Sequence, residues 1–315
     1  MIQPIKLVID TDLGVDDAIA ILIAIAAPDA KVVGLTSVGG NVALARTTRN
    51  ALALLQAVGH GDISIAKGAS RPLEGKFKYA PQFHGASGLS IRLPDPIATP
   101  VRQSAIQFLN DQLTQGSDRI VLLALGPLTN IARLLCEHPY ALEQAKNIII
   151  MGGAVNVPGN VTPYAEFNIY SDPKAADIVF SSGLPITLVD LTACRQVGID
   201  RNHALELHSN HPLGKLAITI LQGWFKREPN RQRFEFCDPL ATAIALEPAV
   251  ATVAKIDIDV GLRENKWRGA TWETGGPGEI TRLENVDSPR FFMLLKRLLG
   301  LEGLPTNPEI YALGS

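Results

Sequence analysis

Residues 10–17 read Asp10-Thr11-Asp12-Leu13-Gly14-Val15-Asp16-Asp17, placing four carboxylates within eight positions. Like charges so close together repel unless a cation sits among them. Carboxylate oxygens are hard donors that suit Ca²⁺ or Mg²⁺ better than zinc. The preceding run Lys6-Leu7-Val8-Ile9 has the length and branching of a buried strand, so the acids stand at a strand end. For Asp16 and Asp17 alone a second reading is open: carboxylates at the start of a helix accept backbone N–H bonds and favour its dipole. Capping leaves Asp10 and Asp12 without a purpose, and this points to a hard cation. An EF-hand is excluded on spacing, because Gly14 falls one place early, Ile21 stands where the bidentate Glu belongs, and a strand precedes the loop.

Two further segments carry polar chemistry. Cys237-Asp238-Pro239-Leu240-Ala241-Thr242 opens an apolar helix, where Asp238 would serve as an N-cap and Pro239 as the first helical residue. Asn160, Glu166 and Asn168 lie in a Gly- and Pro-punctuated loop, whose ordinary reading is a solvated surface turn.

The elements that must hold these residues alternate. Expected strands at 6–9, 31–36, 63–65, 119–123, 147–151 and 185–189 are separated by helices near 18–27, 42–58, 101–114, 128–136 and 173–181. Such alternation predicts an α/β fold with a mostly parallel central sheet flanked by helices, Rossmann-like in class. Ligands in these sheets collect beyond the carboxyl ends of the strands. Asp10–Asp17, Gly39-Gly40-Asn41, Leu125-Gly126-Pro127 and Met151-Gly152-Gly153 all fall there. After 254 the pattern is less regular, with strands expected at 254–260 and 269–272 and a helix at 289–299. We read residues 1–315 as one domain, since no linker or charge run divides them.

Composition narrows the partner. The 46% hydrophobic fraction suffices for a core, and a net charge of −2 offers no electrostatic reason to bind nucleic acid or an anionic membrane. The N-terminus has no signal-peptide pattern and no apolar run reaches bilayer length, so a cytoplasmic protein acting on a small molecule is expected. Three cysteines, Cys136, Cys194 and Cys237, lack metal or redox spacing and read as free thiols.

Taken in order, Asp10–Ala18, Gly39-Gly40-Asn41, Gly126-Pro127-Leu128-Thr129-Asn130, Met151-Gly152-Gly153, Ala165-Glu166-Phe167-Asn168 and Asp238-Pro239-Leu240-Ala241 resemble the inosine-uridine nucleoside hydrolase family over nearly the whole chain. The resemblance implies hydrolysis of the N-glycosidic bond of ribonucleosides to free base and ribose. It implies Ca²⁺ held by Asp12, Asp17, Asp238 and the carbonyl of Leu125, with Asp12 as the base that activates water. Asp16, Asn41 and Asn168 would orient ribose hydroxyls, Asn160 and Glu166 would hold the 5′ side, and Met151 would line the substrate pocket. Asp10 would position the others from behind. Homodimers or homotetramers and a role in purine or pyrimidine salvage are the corresponding expectations.

The sequence departs from the family in one place. Where many members carry His before the last metal Asp, Cys237 stands, as in a cysteine-bearing subgroup. Cys237 and His84, in Phe83-His84-Gly85-Ala86-Ser87-Gly88, are thus the candidate proton donors, and the Gly-flanked segment suggests a mobile lid. Trp224 is a candidate for stacking on the base, with core packing the equal alternative. Two other functions compete: a nucleoside-binding protein without catalysis, supported only by Cys237, and a haloacid dehalogenase-type phosphatase. The phosphatase would need a placed Lys that is not evident.

Overall fold

The computed structural model describes residues 3–80, 83, 85–115, 120–276 and 278–305. Its strands are β1 (Ile5–Thr11), β2 (Ala30–Ser37), β3 (Ile65–Lys67), β4 (Val101–Ser104), β5 (Val121–Ala124), β6 (Asn147–Met151), β7 (Ile186–Val189), β8 (Gly198–Asp200), β9 (Arg233–Glu235), β10 (Ala251–Val260), β11 (Thr271–Thr274) and β12 (Ile280–Val286). Ten of them form one sheet in the order β11-β10-β12-β7-β6-β5-β1-β2-β3-β4, while β8 and β9 pair separately. Neighbours from β12 to β4 run parallel, and β10 joins β12 and β11 antiparallel. The expected α/β class is the observed one.

Helices cover both faces, which is why β5, β6 and β7 are apolar without alternation. Side chains of β1 nevertheless alternate between two cores. Leu7 and Ile9 enter the core containing the helices Val15–Ala26 and Cys237–Leu246, and Val8 enters the one containing the helix Thr129–Glu137. Continuing that period of two, Asp10 faces the side of the 129–137 helix and Thr11 the side of the 15–26 helix.

The chain builds β1 to β4 outward on one flank, then returns to place β5, β6 and β7 on the other. The order reverses between β1 and β5, and the crevice at such a reversal is where α/β sheets bind ligands. Asp10 and Thr11 end β1, with Asp12 directly after it, and Leu125 follows β5.

One expectation needs correction. Residues 101–114 are not one helix: Val101–Ser104 form the edge strand β4, and Ser104 then caps the helix Ala105–Thr114 by accepting the Gln107 N–H at 3.2 Å. A Ser N-cap ends the extended run because its hydroxyl satisfies an otherwise orphaned donor. The long strand β12 was not anticipated, nor was the β8–β9 pair. The segment Arg282-Leu283-Glu284-Asn285 mixes charge into a strand that is buried only in part.

Candidate active site

Two buried helices aim their N-termini at one point. The helix Val15–Ala26 and the helix Cys237–Leu246 pack against each other, and both are buried along nearly their whole length. Their first turns carry Asp16, Asp17 and Asp238, whose carboxylate oxygens lie within 4.8 Å of one another. The helix dipoles favour negative charge there, but only by about 0.3–2 kcal/mol each. That is small against the cost of burying several carboxylates together.

Each acid is held by a different set of bonds. The Thr11 hydroxyl donates to Asp17 Oδ1 at 2.5 Å, and Gly14 N donates to Asp17 Oδ2 at 2.8 Å. Asn41 N donates to Asp12 Oδ2 at 2.6 Å, while Asn41 Nδ2 reaches Asp17 Oδ2 at 3.2 Å. A Cβ on Gly40 would lie 2.1 Å from Asp12 Oδ2, so this close approach admits only glycine. Asp10 accepts from the Thr36 hydroxyl at 2.5 Å and from Asn130 Nδ2 at 2.7 Å, which anchors it below the crevice.

Among the described residues, Asp10 Oδ2, Asp12 Oδ1 and Asp16 Oδ1 are buried with no hydrogen-bond partner. Burial raises the pKa of Asp10 to about 6 and, with repulsion from Asp17, that of Asp16 to about 7. Burial followed by repulsion from neighbouring acids pushes Asp12 and Asp238 well above the usual carboxylate range. Asp17 is raised by burial against the opposing bonds from Thr11 and Gly14. The buried cluster of Asp16, Asp17 and Asp238, with unpartnered oxygens on Asp16 and Asp12, fits a hard divalent cation, which would supply the missing charge and reverse these shifts.

Leu125, Met151, Asn160, Glu166 and Asn168 lie at the ends of β5 and β6 or in the segments that follow them, and Asn160 is exposed. Asn168 Nδ2 donates to the carbonyl of Leu125 at 2.8 Å and to that of Met151 at 3.2 Å, tying the ends of β5 and β6 together. The Leu125 carbonyl retains a second lone pair. Glu166 Oε1 accepts from Asn168 N, and Oε2 accepts from Gly153 N and Ile169 N, so its carboxylate orders the loop around it. Asn160 Oδ1 accepts from Phe167 N at 2.9 Å.

Cys237 is buried beside Cys194, and both are free thiols. Its hydrogen bond with Cys194, then burial, push the Cys237 thiol well above the ordinary range and keep it protonated. Trp224 is 1% exposed and packs edge-on against Phe225 and Phe234, with its indole N–H donating to the Phe83 carbonyl at 3.1 Å. This geometry matches the core-packing alternative. His84 lies outside the described residues. The adjoining segment is stapled through its carbonyls: Phe83 O accepts from Arg227 and Trp224, Ala86 O from Arg46, and Ser87 O from Asn50.

Sequence reasoning passed over Asn130 and Thr36 as individual residues. Their signal was the period-two alternation of β1, which turns Asp10 toward the helix that begins at Thr129 and needs donors there.

The fold and the site define a class: an α/β protein with a mostly parallel sheet whose buried carboxylates gather at the sheet's reversal point, where such folds bind small molecules. The pattern of the inosine-uridine preferring nucleoside hydrolases matches residues 7–293, and the chain belongs to that family. A protein of Oryza sativa subsp. japonica named probable uridine nucleosidase 2 is 36% identical over 93% of each chain. A plant nucleoside hydrolase superposes with a TM-score of 0.87 at 32% identity, covering 94% of this chain and 99% of its own. A purine-preferring ribonucleoside hydrolase from Gardnerella vaginalis follows at 0.84 and 30%, covering 94% and 98%. The chain is a ribonucleoside hydrolase, an N-glycosidase, and its partner is a small-molecule nucleoside. Among the described residues no helix is long and apolar enough to cross a membrane.

Proposed function

We propose that the protein hydrolyses ribonucleosides by direct attack of water on C1′, with Ca²⁺ as its resident ion. The observation that supports this most is the meeting of Asp16, Asp17 and Asp238, from opposite ends of the chain, in a buried cluster where Asp16 Oδ1 has no hydrogen-bond partner. Asp12, Asp17, Asp238 and the carbonyl of Leu125 would hold the ion. When bound, it would lower the pKa of water and grip a vicinal diol.

The chain's own groups do the rest. Asp12, with Oδ1 free of protein donors and Oδ2 fixed by Asn41 N, takes the proton of the attacking water. Asp16, Asn41 and Asn168 orient the ribose hydroxyls, while Asn160 and Glu166 shape the 5′ side and Met151 the wall. As the glycosidic bond stretches, positive charge grows on the ribosyl ring and the surrounding carboxylates stabilise it. Cys237, kept as a thiol, offers its proton to the departing base, with His84 as the second candidate. Attack without a covalent intermediate inverts C1′.

Uridine is the proposed first substrate, from the name of the 36% identical relative. Further parts of this reading are a single domain over 1–315, a cytoplasmic homodimer or homotetramer, and a place in salvage. The test is incubation with uridine, inosine and 2′-deoxyuridine, with and without chelator, scored for free base. Release from ribonucleosides only, abolished by chelator and restored by Ca²⁺, is expected. Equal release from the deoxynucleoside, or indifference to chelator, refutes the assignment.

A further inference from the structure

Behind the stapled segment lies a second concavity, separate from the acidic cluster. It measures about 640 Å³ and is walled by Arg46 and Arg49 of the helix Leu44–Ala57, by Arg92 and Asp95, and by Arg227 at the end of the helix Pro212–Arg227. Four guanidinium groups face one carboxylate in a protein whose net charge is −2. A surface selected only for solubility intersperses the signs.

The single acid does not neutralise the set. Asp95 is taken by Arg49, whose Nη2 lies 2.6 Å from Asp95 Oδ1 and whose Nε lies 3.2 Å from it. Arg46 donates to the Ala86 carbonyl and has no carboxylate partner among the described residues. Arg92 is exposed and makes no contact ion pair or hydrogen bond among the described residues, though after Arg49 its charge also helps hold the Asp95 carboxyl below the usual range. Arg227 donates to the carbonyls of Phe83 at 2.7 Å and Leu89 at 3.3 Å, and its nearest carboxylate oxygen, on Glu228, is 3.8 Å from Nε. Gly85, at φ +74°, makes room for that guanidinium, since a Cβ would sit 2.6 Å from Arg227 Nη1. Carbonyl bonds of this kind orient Arg46 and Arg227; Arg227 shares its charge with Glu228, while Arg46 has no carboxylate within ion-pair distance among the described residues.

We propose that this arginine-walled cavity is a binding site for a phosphate group, taken either as the free anion or as the monoester of a sugar or nucleoside. Guanidinium forks match phosphate oxygens in pairs, and several held by packed elements bind a dianion without reorganising. The volume falls within the range of small-ligand sites and exceeds what a bare anion needs. The segment roofing the cavity also borders the catalytic turn. A Cβ on Gly88, between the lining residues Ser87 and Leu89, would lie 3.4 Å from the Leu13 carbonyl.

The test is calorimetric titration of the metal-loaded protein with inorganic phosphate, ribose 5-phosphate, uridine 5′-monophosphate and uncharged ribose. The expected result is saturable binding of phosphate-bearing ligands that weakens at least about tenfold, or roughly 1.4 kcal/mol, in Arg46→Gln/Arg92→Gln. The single Arg92→Gln variant, altering an exposed side chain, should show a smaller loss with an unchanged melting curve. Equal affinity for inorganic phosphate and the monoesters identifies the free anion as ligand, and a clear preference for the esters identifies a phosphorylated sugar or nucleotide. No phosphate-dependent heat up to about 10 mM, or binding that ignores both arginine substitutions, overturns the proposal. Phosphate bound at the catalytic centre would give the second of these results.

Discussion

Removing divalent cation and then acidifying the protein from about pH 7.5 to about pH 5.5 is expected to stabilise it, against the usual behaviour of paired carboxylates. The pKa of Asp16 in the folded chain is about 7 and that of Asp10 about 6, against 3.8 as the ordinary value. The folded state therefore retains protons that the unfolded chain releases, and stability falls as pH rises from about 4 through these two values. Over the stated interval Asp16 recovers roughly 2 kcal/mol and Asp10 just under 1, about 3 kcal/mol together. For a chain of 315 residues this corresponds to a rise of roughly 4 °C in melting temperature. Metal-loaded protein should do the reverse, since protons and cation compete for the same oxygens. Its advantage over the stripped form should be largest near pH 7.5 and shrink on acidification. The assay is a set of thermal melts at several pH values with excess Ca²⁺ or excess chelator. Curves that coincide with and without chelator at pH 7.5, or a stripped protein that loses stability on acidification, would refute the account of the acidic cluster.

Three other outcomes follow from the same geometry. Asp12→Asn should lower ribonucleoside turnover by about 10²-fold or more while leaving the circular dichroism spectrum unchanged, and near wild-type kcat would remove Asp12 as the base. Cys237→Ala should cost about tenfold in kcat on inosine with little change in KM, because a thiol that holds its proton tightly is a weak general acid; an unaltered kcat would show that another group protonates the base. Asn130→Ala removes donors to Asp10 and to the Ser37 carbonyl and an acceptor for Ala69 N, and should cost about 2–3 kcal/mol in urea unfolding. A loss within about 0.5 kcal/mol would mean that Asp10 is not held by this bond.

Much of the site was legible in the chain because its parts are local. Asp10–Asp17 is a strand end running into a helix start, and both the apolar run before it and the helix formers after it can be read without a partner. The alternating elements likewise announced a parallel sheet, and with it the edge at which ligands collect. What remained hidden depended on pairing across the sheet. No local pattern in Arg282-Leu283-Glu284-Asn285 says that β12 lies beside β7, and Val101–Ser104 reads as helix until β3 is there to pair with it. Tertiary structure alone decided that Asp238 sits against Asp16 and Asp17, because that contact depends on two buried helices packing N-terminus to N-terminus. It also turned Trp224 inward, spent the Glu166 carboxylate on backbone N–H groups, and drew arginines from three separate stretches into one cavity. A sequence specifies which side chains are charged, but the cost of burying that charge, and so the demand for a cation or an anion to answer it, arises only when folding removes the water.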